Sequence, residues 1–393
     1  MLHGIIERMD KDKHRGKRVV LLVRNVANNG FGGSEVYQLN LARRLKEDGF
    51  FPIIVTNSDE LVCCAESEGF VALRSLYLKQ QNWSGWRNLL LFRYAFFQRK
   101  LKKWYSKVIK KYHPVVINIQ SRDDYIAATE VAKRYGVRVL WTDHADFYNW
   151  VLWNVNERFK NLIGKRIIKL SAEAESVIFV SKTTMAKTDK LIYPKNIKNK
   201  IVIRNGVEDR LSEYDEIETV KNNFLFVGRI VKEKGISELI SAFEMVAMKY
   251  PEVRLNVYGD GEDLEKYKSL ARDDKRICFH GRTDEPLRAL AENEIFVLPS
   301  YREGLSLSLL DAAMMGKKII ASDVDGNPEV VENGETGLLV PAKNAKKLAE
   351  AMIWMLEHKK EADKMARNAR RKYEKEFDFD KIFEEKMLPL YKS

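Results

Sequence analysis

Residues 300–341, SYREGLSLSLLDAAMMGKKIIASDVDGNPEVVENGETGLLVP, hold two carboxylates at a spacing that suits recognition chemistry. Glu303 stands beside Gly304, and Asp311 follows eight positions after Glu303. The apolar run Ile295–Leu298 stops at Pro299–Ser300, and the pattern from Leu305 to Met315 predicts a helix with Asp311 on its second turn. A helix start at Leu305–Ser306 offers backbone N–H groups to a phosphate. Flanking carboxylates accept hydrogen bonds from sugar or ribose hydroxyls. The set therefore suits a nucleoside-diphosphate sugar. Both acids sit on one strand–loop–helix unit, unlike the opposed acid and base of a glycosidase.

Three other stretches place polar groups just past an apolar strand pattern. Phe226–Gly235, FVGRIVKEKG, carries Arg229 and Lys234 five residues apart. Two such cations fit a diphosphate clamp, by a guanidinium fork and a point charge, and equally a solvated loop. Residues 30–35, GFGGSE, put Gly32 and Gly33 at the start of a predicted helix. Glycine there lets the backbone approach a ligand, or makes a tight turn capped by Ser34. His144, in WTDHADF, lies at the carboxyl end of a predicted strand, where ligands collect in open α/β sheets. Asp143 and Asp146 beside it read more simply as turn or cap residues.

These motifs need elements to hold them. In residues 1–204, strand patterns at Val19–Val23, Pro52–Val55, Val115–Ile119, Val137–Trp141, Val177–Val180 and Ile201–Ile203 alternate with helical ones. Residues 224–378 repeat the alternation, with strands at Phe224–Val227, Arg254–Val257, Ile277–Phe279, Ile295–Leu298 and Lys318–Ala321. Strand–helix alternation predicts parallel sheets covered on both faces, hence an α/β chain of two doubly wound, Rossmann-like domains facing across a cleft. Residues 205–223 are polar and aperiodic and read as a linker. Residues 379–393 read as a final helix.

Composition bounds the setting. The chain has 393 residues and a net charge of +12. Its apolar runs are too short for a membrane-spanning helix, which needs about 20 residues. The first residues lack the apolar core of a signal peptide. Three cysteines, Cys63, Cys64 and Cys278, give neither a disulfide framework nor zinc spacing, so a reduced, cytoplasmic protein is expected. Charge is lopsided: residues 1–200 hold 36 Lys and Arg against 19 Asp and Glu, whereas residues 201–393 hold 32 against 37. Trp83–Tyr112 interleaves aromatic residues with Lys and Arg. A packed surface helix with solvated cations fits it, as does a helix lying peripherally on anionic lipid. No nucleic-acid motif is present, and no nucleic-acid partner is expected.

The Glu303–Asp311 segment resembles the donor signature of retaining GT-B glycosyltransferases of family four (glycosyl transferases group 1). Asp311 stands where that pattern usually has Glu. V-G-R-x-x-x-x-K-G is similar to the family's donor-phosphate motif, and the glycines of residues 30–35 to its G-G-x-E. The resemblance implies a GT-B fold whose first domain binds acceptor and whose last helix crosses back to it. It implies a metal-independent hexosyltransferase without a resident cofactor, acting on a glycan or lipid-linked acceptor for cell-surface polysaccharide or glycolipid synthesis. It assigns His144, Arg229, Lys234 and Glu303 to catalysis. It assigns donor binding to Gly32, Gly33, Arg229, Lys234, Glu303, Gly304, Leu305, Ser306 and Asp311, with the nucleobase near Arg282 and Thr283. Two rival classes are a GT-B epimerase or phosphorylase and a non-catalytic sugar-nucleotide-binding module.

Overall fold

The computed structural model describes residues 16–26, 32–76, 87–144, 158–192, 197–272 and 274–393. Gly30, Trp83 and Asp146, singled out above, lie outside them. The chain divides into two compact units. The first takes residues up to Val180, Thr184–Ile203 and Leu388–Ser393, and the second Ser181–Thr183 and Arg204–Met387.

In the first unit the strands are β1 (Arg18–Val23), β2 (Phe50–Thr56), β3 (Val71–Arg74), β4 (Val116–Ile119), β5 (Arg138–Asp143), β6 (Ser176–Phe179) and β7 (Lys200–Val202). The helices are α1 (Gly33–Glu47), α2 (Asp59–Ser67), α3 (Arg87–Tyr112), α4 (Arg122–Arg134), α5 (Arg158–Leu170) and α6 (Lys182–Ile192). The sheet runs β3-β2-β1-β4-β5-β6-β7, all parallel. Strands as apolar as Val19–Val23 are buried on both faces, as a covered parallel sheet requires. The order reverses between β1 and β4, so the carboxyl ends of these two strands open the crevice where doubly wound sheets hold ligands.

The second unit has β8 (Val220–Val227), β9 (Arg254–Tyr258), β10 (Ile277–Gly281), β11 (Asn293–Leu298), β12 (Lys318–Ser322) and β13 (Leu338–Val340). Its helices are α7 (Ile236–Lys249), α8 (Leu264–Leu270), α9 (Pro286–Glu292), α10 (Leu307–Met314), α11 (Asn327–Val330), α12 (Ala345–Glu357) and α13 (Lys359–Glu376). The parallel order is β10-β9-β8-β11-β12-β13, with its switch between β8 and β11.

Several expectations need correction. Residues 205–223 are not a free linker: Leu211–Tyr214 forms a 3-10 turn and β8 already begins at Val220. The strands β3 and β13 and the helix α2 were not anticipated. The final helix is broken into Phe379–Ile382, a π turn at Phe383–Met387 and Leu388–Lys392. Only its end belongs to the first unit. There Tyr391 is buried, its hydroxyl accepts from Asn118 Nδ2 at 2.6 Å, and its carbonyl accepts from Arg18 Nη2 at 2.9 Å.

Candidate functional site

The second unit gathers its motif residues at the carboxyl ends of β8 to β12. The ends of β8, β9 and β10 are tied laterally. Gly228 N donates to Tyr258 O at 3.0 Å, and Gly259 N donates to Gly281 O at 2.7 Å. Arg229 extends from this rim exposed, with no ion pair to its guanidinium among the described residues. Gly235 adopts φ 69°, and an added Cβ would fall on the Pro299 carbonyl, 3.0 Å from its carbon. Only glycine fits both conditions, so the loop carrying Lys234 lies directly against the end of β11.

That approach pairs the two motifs. Lys234 Nζ lies 2.5 Å from Glu303 Oε1, although the residues are 69 positions apart. Ser300, fully buried, donates its hydroxyl to the same oxygen at 2.7 Å. Asp325 Oδ2 accepts from Glu303 N at 2.8 Å. Asp325 sits at φ 45°, a left-handed conformation that costs a non-glycine residue about 1 kcal/mol or more. Beside it, a Cβ on Gly326 would run into the Gly304 carbonyl. Leu305 is buried, and its carbonyl accepts from Asn205 Nδ2 at 3.0 Å. Residues 303–305 are thus held by Lys234, Ser300, Asn205 and the Asp325–Gly326 turn that follows β12.

α10 begins at Leu307 with Ser306 as its N-cap, two residues later than expected. The N–H groups of its first turn have no acceptor within the helix and carry the positive end of its dipole. Asp311, on the second turn, keeps part of its surface exposed. Burial pushes its carboxyl up to about 7, opposed by the charge of Arg210. Arg282 is exposed just past β10. The Thr283 hydroxyl accepts from Glu285 N at 3.0 Å, which gives it a turn-capping role ahead of α9.

In the first unit, Gly32 is the N-cap of α1 and Gly33 its first residue. Glu35, at the third position, reaches back to Gly32 N at 2.9 Å and completes one arm of a capping box. Arg24 joins this helix start to the neighbouring strand end. It donates to Glu35 Oε1 at 3.0 Å, Ser34 Oγ at 2.8 Å and the Gln120 carbonyl at 2.7 Å. Gln120 Oε1 lies 3.1 Å from His144 Nε2, and the Tyr37 ring meets the imidazole edge-on at 5.0 Å. Burial, with the Arg24 charge, holds the imidazole well below its usual pKa, so His144 is neutral. The ends of β1, β4 and β5 thus carry one connected polar set, Gly32–Glu35–Arg24–Gln120–His144. Asp143 is the buried last residue of β5 rather than a turn residue. Sequence reasoning missed Arg24, Gln120, Ser300 and Asp325. Their position just past a strand end is the one signal that marks them.

Among the described residues, no group of three His, Cys, Asp or Glu is placed to hold a metal ion. Nor is any helix long and apolar enough to cross a membrane.

Comparison with known proteins matches this layout. The family model described as Glycosyltransferase Family 4 matches residues 31–211, and that described as Glycosyl transferases group 1 matches residues 208–372. An uncharacterized glycosyltransferase of Methanocaldococcus jannaschii is 30% identical over 58% of this chain and 60% of its own length. A capsular polysaccharide biosynthesis glycosyltransferase, CapM of Staphylococcus aureus, is 31% identical over 42% of this chain and 45% of its own. This chain thus spans about half the length of these two relatives. Among solved structures, Anabaena HepE in complex with UDP-glucose superposes with a TM-score of 0.74 at 16% identity, covering 95% of this chain and 100% of that one. At that identity the likeness speaks for the fold alone, which is GT-B.

Proposed function

Since the chain belongs to the group 1 glycosyl transferases, we propose that it moves a hexosyl unit from a nucleoside-diphosphate sugar to a hydroxyl of a glycan or lipid-linked precursor. The anomeric configuration is retained and the product enters polysaccharide synthesis. The observation that carries this reading is the Lys234–Glu303 contact beside the start of α10. It brings a cation and a carboxylate together at the loop that leads into α10.

In this reading the bond between the anomeric carbon and the leaving phosphate oxygen breaks, and its electron pair departs with the diphosphate. Arg229, Lys234 and the first-turn N–H groups of α10 stabilise that charge by preorganised electrostatics, without a metal ion. Glu303 orients the donor sugar and Asp311 holds the ribose. The family resemblance assigns His144 a role toward a sugar hydroxyl; its Nε2 lies 3.1 Å from Gln120 Oε1, which orients the ring. The acceptor hydroxyl oxygen attacks from the face the diphosphate leaves, and its proton passes to the departing phosphate oxygen. The family's relation to a capsular polysaccharide enzyme supports the choice of acceptor class.

The test is incubation of the full chain with a panel of nucleotide sugars and glycan or lipid-linked acceptors, with and without EDTA. Product anomers are read by NMR. An axial linkage from an axial donor, formed equally in EDTA, is expected. Donor hydrolysis or isomerisation with no acceptor product would overturn the transferase reading, and loss restored by Mn²⁺ would overturn the leaving-group chemistry.

A further inference from the structure

The long helix α3 divides its residues by chemistry. Tyr94, Phe97, Leu101, Trp104, Tyr105 and Val108 are buried in the core of the first unit. At 100° per residue, Phe92, Phe96, Arg99, Lys100, Lys103 and Lys107 share a stripe of about 100° on the opposite side. Phe92 is 76% exposed and Phe96 59% exposed. One helical turn apart, they form a pair of large apolar side chains presented to solvent. The four cations continue the stripe along the axis, and none has an acidic partner among the described residues. Lys102, on the flank, is by contrast paired with Glu130 at 2.5 Å. Lys100 Nζ stands 4.6 Å from the Phe96 ring centroid, so its charge sits over the aromatic face rather than beside a carboxylate. The helix contains no Asp or Glu at all.

We propose that this stripe is a docking surface for an anionic lipid bilayer. Phe92 and Phe96 insert at the headgroup boundary, and Arg99, Lys100, Lys103 and Lys107 lie over the negative surface. A solvated helix face needs no exposed phenylalanine pair, and a nucleic-acid groove would place its cations around a backbone path rather than behind an apolar tip. Adjacent aromatic and cationic groups on one stripe are what an interfacial helix uses. The proposal stands apart from the transferase reading, since it involves none of the residues placed at the strand ends.

The test is co-sedimentation of the full chain with phosphatidylcholine vesicles, alone or mixed with phosphatidylglycerol, at low and raised salt. Lys100, Lys103 and Lys107 with Arg99 are changed together to Gln. A charge-matched control changes Lys359, Lys360, Lys364 and Lys375 of α13 to Gln. A third variant, Phe92→Ser with Phe96→Ser, keeps every charge. Wild type should bind only the anionic vesicles, and raised salt should weaken binding. The α3 charge variant should bind on the order of 10³-fold more weakly. The α13 control should behave as wild type, and the serine variant should lose at least about fivefold. Equal losses in the two charge variants, an unchanged serine variant, or preference for RNA over vesicles would each overturn the proposal. Circular dichroism of every variant confirms that the fold persists.

Discussion

Gly326→Ala isolates the position of the Glu303 loop. Gly326 has φ −82° and ψ −10°, a conformation alanine adopts freely, so the substitution adds no backbone strain. What it adds is a methyl group against the Gly304 carbonyl, 3.0 Å from that carbon and 3.1 Å from Leu305 Cδ1. Both neighbours belong to the loop between β11 and α10, and relieving the clash moves that loop by roughly 1 Å, a displacement that costs on the order of 10²-fold in rate when it misplaces a reacting substrate. In barrier terms that is about 2.7 kcal/mol. Overpacking at this depth lowers stability by about 1–3 kcal/mol. The control is Gly136→Ala. Gly136 has φ 66° with nothing within 4 Å of an added Cβ, and it precedes the amino end of β5. It should lose about 1–2 kcal/mol of stability through strain alone and keep full turnover. The assay pairs nucleoside-diphosphate release from the preferred donor with thermal melts. Wild-type kcat/KM in Gly326→Ala, or an equal loss in Gly136→Ala, would refute the claim that the loop's position matters.

Other substitutions test single groups. Arg229→Ala should lower turnover by on the order of 10²-fold with a melt near wild type, because its side chain is exposed, and a matched loss of fold would assign it a structural role. Lys234→Ala should lower turnover as much and also lower the melt, because it leaves the largely buried Glu303 carboxylate without its cation; wild-type turnover would remove it from the clamp. Asp325→Gly should relieve the left-handed strain yet lower turnover, while Asp325→Asn, which keeps an acceptor for Glu303 N, should restore it; a fully active glycine variant would sink the positioning role. Asp311 has a folded pKa raised from 3.8 to about 7, so the folded state binds more protons than the unfolded one between these values. Its contribution to stability is therefore fullest below about 4 and is lost as pH rises towards 7. Asp311→Asn should gain stability over wild type as pH goes from 5 to 8, and parallel melting curves across that range would contradict the assignment.

Strand positions such as Val19–Val23 and Ile295–Leu298 were legible because covered parallel strands must be continuously apolar. Short edge pieces were not: β3 is four residues long and β13 three, too few to register a period. Glu303, Asp311, Arg229 and Lys234 stood out because each follows a strand end at a recognisable spacing. The groups that hold them did not. Ser300 and Asp325 act on Glu303 through hydrogen bonds that only the folded loop creates. Arg24 reaches the Gln120 carbonyl 96 positions away. Asp325 adopts a left-handed conformation that aspartate tolerates, but the Asp-Gly turn signal does not show that its carboxylate reaches Glu303 N. The Asp311 substitution was visible at once, but its raised pKa follows from burial, which composition does not reveal.

The central claim is that Lys234, Arg229 and the start of α10 bind the diphosphate of a nucleotide sugar. Isothermal titration of the full chain with nucleoside diphosphates, repeated on the Arg229→Ala, Lys234→Ala double variant, tests it most directly. Saturable binding of at least one nucleoside diphosphate by wild type is predicted, with affinity reduced on the order of 10²-fold or more in the double variant. Equal affinity in both proteins, or no binding of any nucleoside diphosphate by a folded wild type, would contradict it.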